Sequence, residues 1–270
     1  MVTVVIPLYN AETTITKALD SVRNQTAASI IRETIIVNDG STDNSASVVS
    51  EYIKQYPDFH IKYIYQENAG AAAARNAGMK KVHTKYIAFL DADDIWLPDK
   101  LKRQMEIIKE HPQIRFLGTA WEDKPLQIGR KKITELYNGS VKDVCIKNFP
   151  VTPSILMETA FIDEIGYFDS HRRFAEDINY FQKIAAKGNY YFLPEKLVEI
   201  DVGKSYFAQS GLSAHLKEMH LGTLQNIREL RDDKQISGGF WLLMRIFYEL
   251  KYIRRILMRK IRGGRRGSEA

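Results

Sequence analysis

Short apolar runs separated by amphipathic stretches organise the first hundred residues. Val2 to Ile6 is β-rich and ends at Pro7, and Ala11 to Gln25 follows with Ile15, Ala18, Leu19 and Val22 at helical spacing. Glu33 to Asn38 reads as a second buried strand. It stops at Asp39-Gly40-Ser41-Thr42-Asp43, a turn in which Ser or Thr can cap a helix running to about Gln55. Ile61 to Tyr65 is a third strand, Gly70 to Val82 an Ala-rich helix and Lys85 to Leu90 a fourth strand. This alternation predicts βαβ units in an α/β fold, a mostly parallel, Rossmann-like central sheet flanked by helices and right-handed at each crossover.

After Pro98 the pattern changes. A helix is expected to about Glu110, a strand over Ile114 to Trp121 and a short strand at Ile155 to Met157. A helix over Glu176 to Lys187 is stopped by Gly188, and a strand runs from Tyr190 through Ile200. Residues 122–150 mix charge with no clear period. Helices around Ser213 to Arg231 and from Phe240 onward close the chain.

The fourth strand runs straight into Asp91-Ala92-Asp93-Asp94. Burying three like charges together would cost several kcal/mol, on the order of 1–3 or more per unpaired group. The acids are therefore expected at the strand's carboxyl end, facing the crevice where open α/β sheets bind ligands. Hard oxygen ligands there suit Mg²⁺ or Mn²⁺ together with substrate phosphate. The plainer alternative is an acidic loop that caps the next helix through Asp94 or Asp99.

Composition narrows the classes. The 270 residues are 44% hydrophobic, and the single Cys145 excludes an intramolecular disulfide framework. The six His are scattered without metal-site spacing. Gly238 to Ala270 holds nine Lys/Arg against two Glu, so this segment carries +7 and the rest −1 of the total +6. The basicity belongs to a tail, and no nucleic acid is expected as partner. The N-terminal apolar run is too short for a signal peptide, and no apolar stretch reaches the roughly 18–20 residues of a spanning helix. A cytoplasmic protein is expected.

Other strand ends carry further candidates. Tyr9 after strand one can stack on a flat base or be a surface aromatic of a turn. Asp39 can accept from a base imide or a ribose hydroxyl, or serve its own turn. Asn68-Ala69-Gly70 opens the third helix, and Arg75, one turn in, suits a diphosphate or is an ordinary helix residue. Trp96 can stack on a sugar or pack in the core.

Four stretches together resemble the successive signatures of the family 2 glycosyltransferases. They are Val4-Val5-Ile6-Pro7-Leu8-Tyr9-Asn10, Val37-Asn38-Asp39-Gly40-Ser41-Thr42-Asp43, Asn68-Ala69-Gly70 with Ala74-Arg75-Asn76-Ala77-Gly78, and Phe89-Leu90-Asp91-Ala92-Asp93-Asp94. The resemblance implies a GT-A fold and inverting transfer from a nucleotide-diphospho-sugar, usually a UDP-sugar. It implies that Pro7, Tyr9, Glu12, Asp39, Asn68 and Arg75 line the nucleotide site. Asp91 and Asp93 match the Asp-X-Asp motif, Asp93 as metal ligand and Asp91 shared between ribose and metal.

Phe174-Ala175-Glu176-Asp177-Ile178 is similar to the family's second acidic signature, whose Asp is the general base. That makes Asp177 the base and Glu176 a positioning acid; first-turn acids that complement the helix dipole are the alternative. Ser210-Gly211-Leu212-Ser213 resembles a loop closing over the donor, although Tyr206-Phe207 departs from the aromatic-basic pair often seen before it. His215 is a further metal candidate, the alternative being a lone His that is no ligand. The implied division is a glycosyltransferase domain over 1–235, with a nucleotide-sugar half (1–97) and an acceptor half (98–235), then a basic amphipathic tail over 236–270. A nucleotidylyltransferase would need a Gly-rich basic loop after strand one, which Pro7 to Thr13 lacks; a nucleotide-sugar sensor would bind donor without turnover.

On a helical wheel, Leu243, Ile246, Phe247, Leu250, Ile253, Leu257 and Ile261 share one face, and Arg245, Lys251, Arg255, Arg259 and Arg262 crowd the other. That composition suits an interfacial helix over residues 240–266 on an anionic membrane, and hence a glycan acceptor on a polyprenyl lipid carrier at the inner face of the cytoplasmic membrane. A helix docked on its own domain or on a partner is the alternative.

Overall fold

The computed structural model describes residues 1–200 and 215–266, with side chains through Arg259. The chain separates into two compact units, Met1–Gly203 and Lys204–Ala270. The first opens with β1 (Val2–Leu8), α1 (Ile15–Arg23), β2 (Ile31–Asp39), α2 (Ser45–Gln55), β3 (Ile61–Gln66), α3 (Ala71–Met79) and β4 (Tyr86–Phe89). It continues with β5 (Ile95–Trp96), α4 (Lys100–Glu110), β6 (Phe116–Ala120), β7 (Leu126–Ile128), β8 (Lys131–Ile133), β9 (Tyr137–Asn138) and α5 (Val141–Ile146). It ends with β10 (Leu156–Glu158), α6 (Ile162–Ile165), α7 (Glu176–Ala186), β11 (Tyr191–Lys196) and β12 (Val198–Glu199). The second unit holds α8 (Leu216–Asp232) and α9 (Gly238–Arg266).

The main sheet has the order β3-β2-β1-β4-β10-β6-β11-β9. Its first four strands are parallel, with Val5 paired to Ile35 on one side and Phe89 on the other. β10 runs antiparallel between β4 and β6. The chain builds outward from β1 to β3 and then returns to place β4 on β1's other edge. The crevice of such a sheet lies beyond the carboxyl ends of the strands at this reversal, where Tyr9, Asp39 and Asp91 sit. The apolar runs explain the packing: Val4, Ile6, Ile35, Val37, Ala88 and Phe89 are fully buried. α3 lies close on β1 because Gly78 has no side chain; a Cβ there would collide with Val5.

Three expectations change. The Tyr190–Ile200 strand breaks at Leu197, because Val198 leaves the main sheet to pair with Trp96 of β5. Neither Ser41 nor Thr42 caps α2. Asp43 Oδ1 accepts from Ser45 N at 3.0 Å and Glu12 Oε2 accepts from Asn44 N at 2.8 Å, so carboxylates answer the helix's free N–H groups instead. Asp99 makes no side-chain cap on α4, and its Oδ1 accepts from Thr26 Oγ1 at 2.8 Å. The 122–150 segment, which has no clear period, contains the β7–β8 hairpin and α5, which a Ser140–Asp143 capping box starts. Burial pushes the Cys145 thiol up to about 12. Among the described residues, no helix is long and apolar enough to cross a membrane.

Candidate active site

The loop after β1 and the loop after β2 are stitched together. Asn10, at φ 47°, donates its N–H to Ser41 Oγ at 3.1 Å and accepts from Thr42 N at 2.8 Å. Ala11 N donates to Ser45 Oγ at 2.8 Å, and Glu12 N to Asp43 Oδ2 at 3.1 Å. Tyr9 stands on this rim, 52% exposed, two residues beyond Pro7 of β1. Glu12 is tied to the α2 N-terminus through the bond described above.

Asp39 closes β2 and is 3% exposed. Its Oδ1 accepts from Gln66 Nε2 at 2.6 Å and Ala69 N at 2.9 Å, and its Oδ2 from Gly70 N at 2.8 Å. A carboxylate offers about four acceptor positions, so one remains. Asn68 Nδ2 donates to the Asp39 carbonyl at 3.0 Å. Gly70 takes φ 91°, a value that favours glycine, and this lets the chain turn into α3 with its N–H on Asp39. The Gln66 contact was not legible in the sequence, since it depends on the register of β2 and β3.

Arg75 joins the two ends of the site. It is 6% exposed, and its Nη2 lies 2.7 Å from Asp91 Oδ1, while Nη1 is 3.5 Å from Glu176 Oε1. Its guanidinium carbon sits 5.6 Å from the Phe168 ring centre. Burial opposes the charge, but Asp91 and Glu176 outweigh it and hold the pKa above its ordinary value. Among the described residues, Nε and Nη1 find no hydrogen-bond acceptor. Nη1 has only the long ion pair with Glu176, and the unmatched buried Nε is a donor that an anion's oxygen can satisfy.

At the end of β4, Asp91 and Asp93 are partly exposed while Ala92 and Asp94 are buried. No group of three or more His, Cys, Asp or Glu is arranged to hold a metal ion among the described residues. The donor set is thus two carboxylates. It fits a hard divalent cation that takes the rest of its shell from phosphate oxygens and water, as Mg²⁺ habitually does.

Glu176 and Asp177 begin α7 behind Ala175, a non-glycine residue held at φ 57°. Burial, and then the Asp177 charge, push Glu176 up to about 7 against the pull of Arg75. Burial likewise raises Asp177, against the Ile178 N–H at 2.7 Å and the Arg75 charge. The segment leading to α7 is held by Asn76, a residue that motif reading quoted without a role. Its Nδ2 donates to the Phe168 carbonyl at 2.8 Å and its Oδ1 accepts from Phe168 N at 3.0 Å, across 92 residues of sequence. Phe168 stacks on Tyr180 at 4.0 Å and meets Phe89 edge-on at 5.9 Å.

One expected site residue is corrected. Trp96 is 2% exposed, its Nε1 donates to the Pro153 carbonyl at 2.7 Å, and Lys100 Nζ lies 3.9 Å from its ring centre. The ring is buried, Lys100 covers one face and the polar tip is spent on Pro153, so it cannot stack on a sugar. Ser210-Gly211-Leu212-Ser213 lies outside the described residues. His215 is exposed in the second unit, with Nδ1 3.9 Å from Glu218 Oε2.

Residues 3–140, just over half of the chain, match the family described as "Glycosyl transferase family 2". An "Uncharacterized glycosyltransferase" of Rickettsia bellii is 33% identical over 178 residues, which cover 65% of this chain and 25% of that protein. The "Putative teichuronic acid biosynthesis glycosyltransferase TuaG" of Bacillus subtilis is 40% identical over 110 residues, covering 41% of this chain and 42% of that one. The chain spans a quarter to a third of several of its curated relatives. Among solved structures, the mannosyltransferase PcManGT from Pyrobaculum calidifontis, in complex with GDP-Man and Mn²⁺, superposes with a TM-score of 0.69 at 18% identity, covering 93% of this chain and 70% of that one. S. aureus TarS 1–349 in complex with UDP gives 0.64 at 20% identity, covering 92% and 70%. The family match and the reversal in strand order agree on one assignment: the chain belongs to glycosyltransferase family 2 and has the GT-A fold.

Proposed function

We propose that this glycosyltransferase moves a hexosyl or N-acetylhexosaminyl group, with inversion, from a nucleotide-diphospho-sugar to a glycan hydroxyl. The observation that carries this is Arg75, a buried guanidinium that ties the strand-end Asp91 to Glu176 at the head of α7 while its Nε has no acceptor. In this reading Tyr9 stacks on the base at the rim, flanked by Pro7 and Glu12. The remaining acceptor position of Asp39, with Asn68 beside it, receives a base or ribose donor. Arg75 binds the diphosphate, and Asp91 turns toward the ribose.

Asp93, with Asp91, would hold a divalent cation, Mg²⁺ or Mn²⁺; when bound it neutralises the departing diphosphate. Asp177 takes the proton of the acceptor hydroxyl as its oxygen attacks the anomeric carbon. The bond to the diphosphate oxygen breaks, and the nucleoside diphosphate leaves with the electron pair. The raised pKa of Asp177 makes it a stronger base once ionised, and Glu176 keeps Arg75 in place. A UDP-sugar is favoured because the TarS structures hold UDP and UDP-GlcNAc. The teichuronic acid named for TuaG supports an acceptor in surface polysaccharide assembly, such as O-antigen or capsule, carried on a polyprenyl lipid. The enzyme then works at the cytoplasmic face of the membrane.

The test pairs two variants. Asp177→Asn should keep donor affinity by calorimetry and lose about 10²–10⁴-fold in transfer rate. Asp93→Ala should abolish the extra thermal stabilisation that Mn²⁺ adds to a UDP-sugar. Undiminished transfer by Asp177→Asn would overturn the assignment of the base.

A further inference from the structure

The second unit is a two-helix hairpin whose α9 buries its less apolar side. His220 of α8 stacks on Tyr252 at 4.3 Å with the rings 5° from parallel, and its Nε2 lies 3.2 Å from Glu249 Oε2. Arg231 sits 4.4 Å over the Trp241 ring, while Met244 and Tyr248 are buried. At 3.6 residues per turn, Trp241, Met244, Tyr248 and Tyr252 fall on one side of α9. The opposite side carries Leu243, Ile246, Phe247, Leu250, Ile253 and Leu257, which remain 40% to 62% exposed. From Leu243 to Leu257 this stripe runs about 21 Å along the helix. Six half-exposed apolar side chains on one helix face form a contiguous stripe, and contiguous exposed apolar surface marks interaction sites.

We propose that this stripe of α9 docks on an anionic lipid bilayer, with the helix lying in the plane of the interface. Charge selects that occupant. The segment from Gly238 carries +7, and Lys251 and Arg254 border or enter the stripe itself. A second copy of the chain would bring +7 against +7, whereas an anionic headgroup layer compensates both. Apolar burial is then joined by basic side chains that snorkel to the headgroups. The described part of α9 is not apolar enough to span. Docking stands apart from the transfer chemistry; only the lipid-linked acceptor of the proposed function leans on it.

The experiment is flotation of the full chain with phosphatidylcholine vesicles, alone or with about a third phosphatidylglycerol. Binding is expected only with phosphatidylglycerol, weakening as salt is raised. Ile246→Asn with Leu250→Asn should lower the bound fraction about tenfold or more. Because both side chains are exposed, its melting temperature should stay unchanged, as should its affinity for nucleotide-sugar. Equal flotation of the variant, equal binding to pure phosphatidylcholine, or no binding at all would each overturn the proposal. So would a dimer in light scattering that the same variant converts to monomer, since the stripe would then belong to a second copy. A failure of donor binding or transfer in the wild type would instead count against the proposed function alone.

Discussion

Replacing Arg75 with Met removes a buried cation from between two acids while keeping most of its volume. Breaking a buried ion pair by deleting one partner typically costs about 3–5 kcal/mol, because the remaining charge is left uncompensated. The cost should depend on pH. Glu176 has a folded pKa of about 7 against an ordinary 4.5. Between those values the folded state keeps a proton that the unfolded state releases, so wild-type stability falls as pH rises through that window and levels above about 7. Without Arg75 the folded pKa moves higher, and the loss continues past pH 7 at about 1.4 kcal/mol per pH unit. Asp177 shifts the same way, since the same guanidinium eases its charge. Urea unfolding at pH 6 and pH 8 should therefore give a destabilisation of about 3 kcal/mol that is larger by about 1.4 kcal/mol at the higher pH. An identical cost at both pH values would refute the idea that Arg75 supports the charge on α7.

Three further substitutions probe the scaffold. Asn76→Leu strips Phe168 of both hydrogen bonds and leaves its buried backbone groups unmet, so a loss of about 2–4 kcal/mol in urea unfolding is expected, with a fall in kcat exceeding any rise in donor KM. Gly78→Ala drives a methyl into Val5 and should destabilise by about 1–3 kcal/mol; combined with Val5→Ala the total should be smaller than the sum of the single changes. Trp96→Phe orphans the Pro153 carbonyl and should cost about 1–3 kcal/mol in unfolding free energy while leaving donor affinity by calorimetry unchanged.

Local periodicity made the first half of this chain legible. β1 to β4 and the helices between them have their own signals: β-branched runs, helical spacing of apolar residues, and Gly or Asp at the turns. The acids after β4 were equally readable, because burying them together would be costly wherever the strand lay. The second half has short strands that pair out of order, and residues 122–150 carry no period that announces the β7–β8 hairpin. Tertiary contact alone decided what several side chains do. Trp96 and Tyr9 are both aromatics beside a strand end, yet one is sealed against Pro153 and Lys100 and the other faces solvent. Arg75 is one turn into a helix in the sequence; only the fold brings Asp91 and Glu176 to either side of it. The apolar face of α9 was visible on a helical wheel, but its exposure was not, because α8 decides which side is covered. Periodicity is set by neighbours in the chain and can be read from it. Partner choice depends on residues far apart in sequence, as with Asn76 and Phe168, and is settled only when the backbone closes.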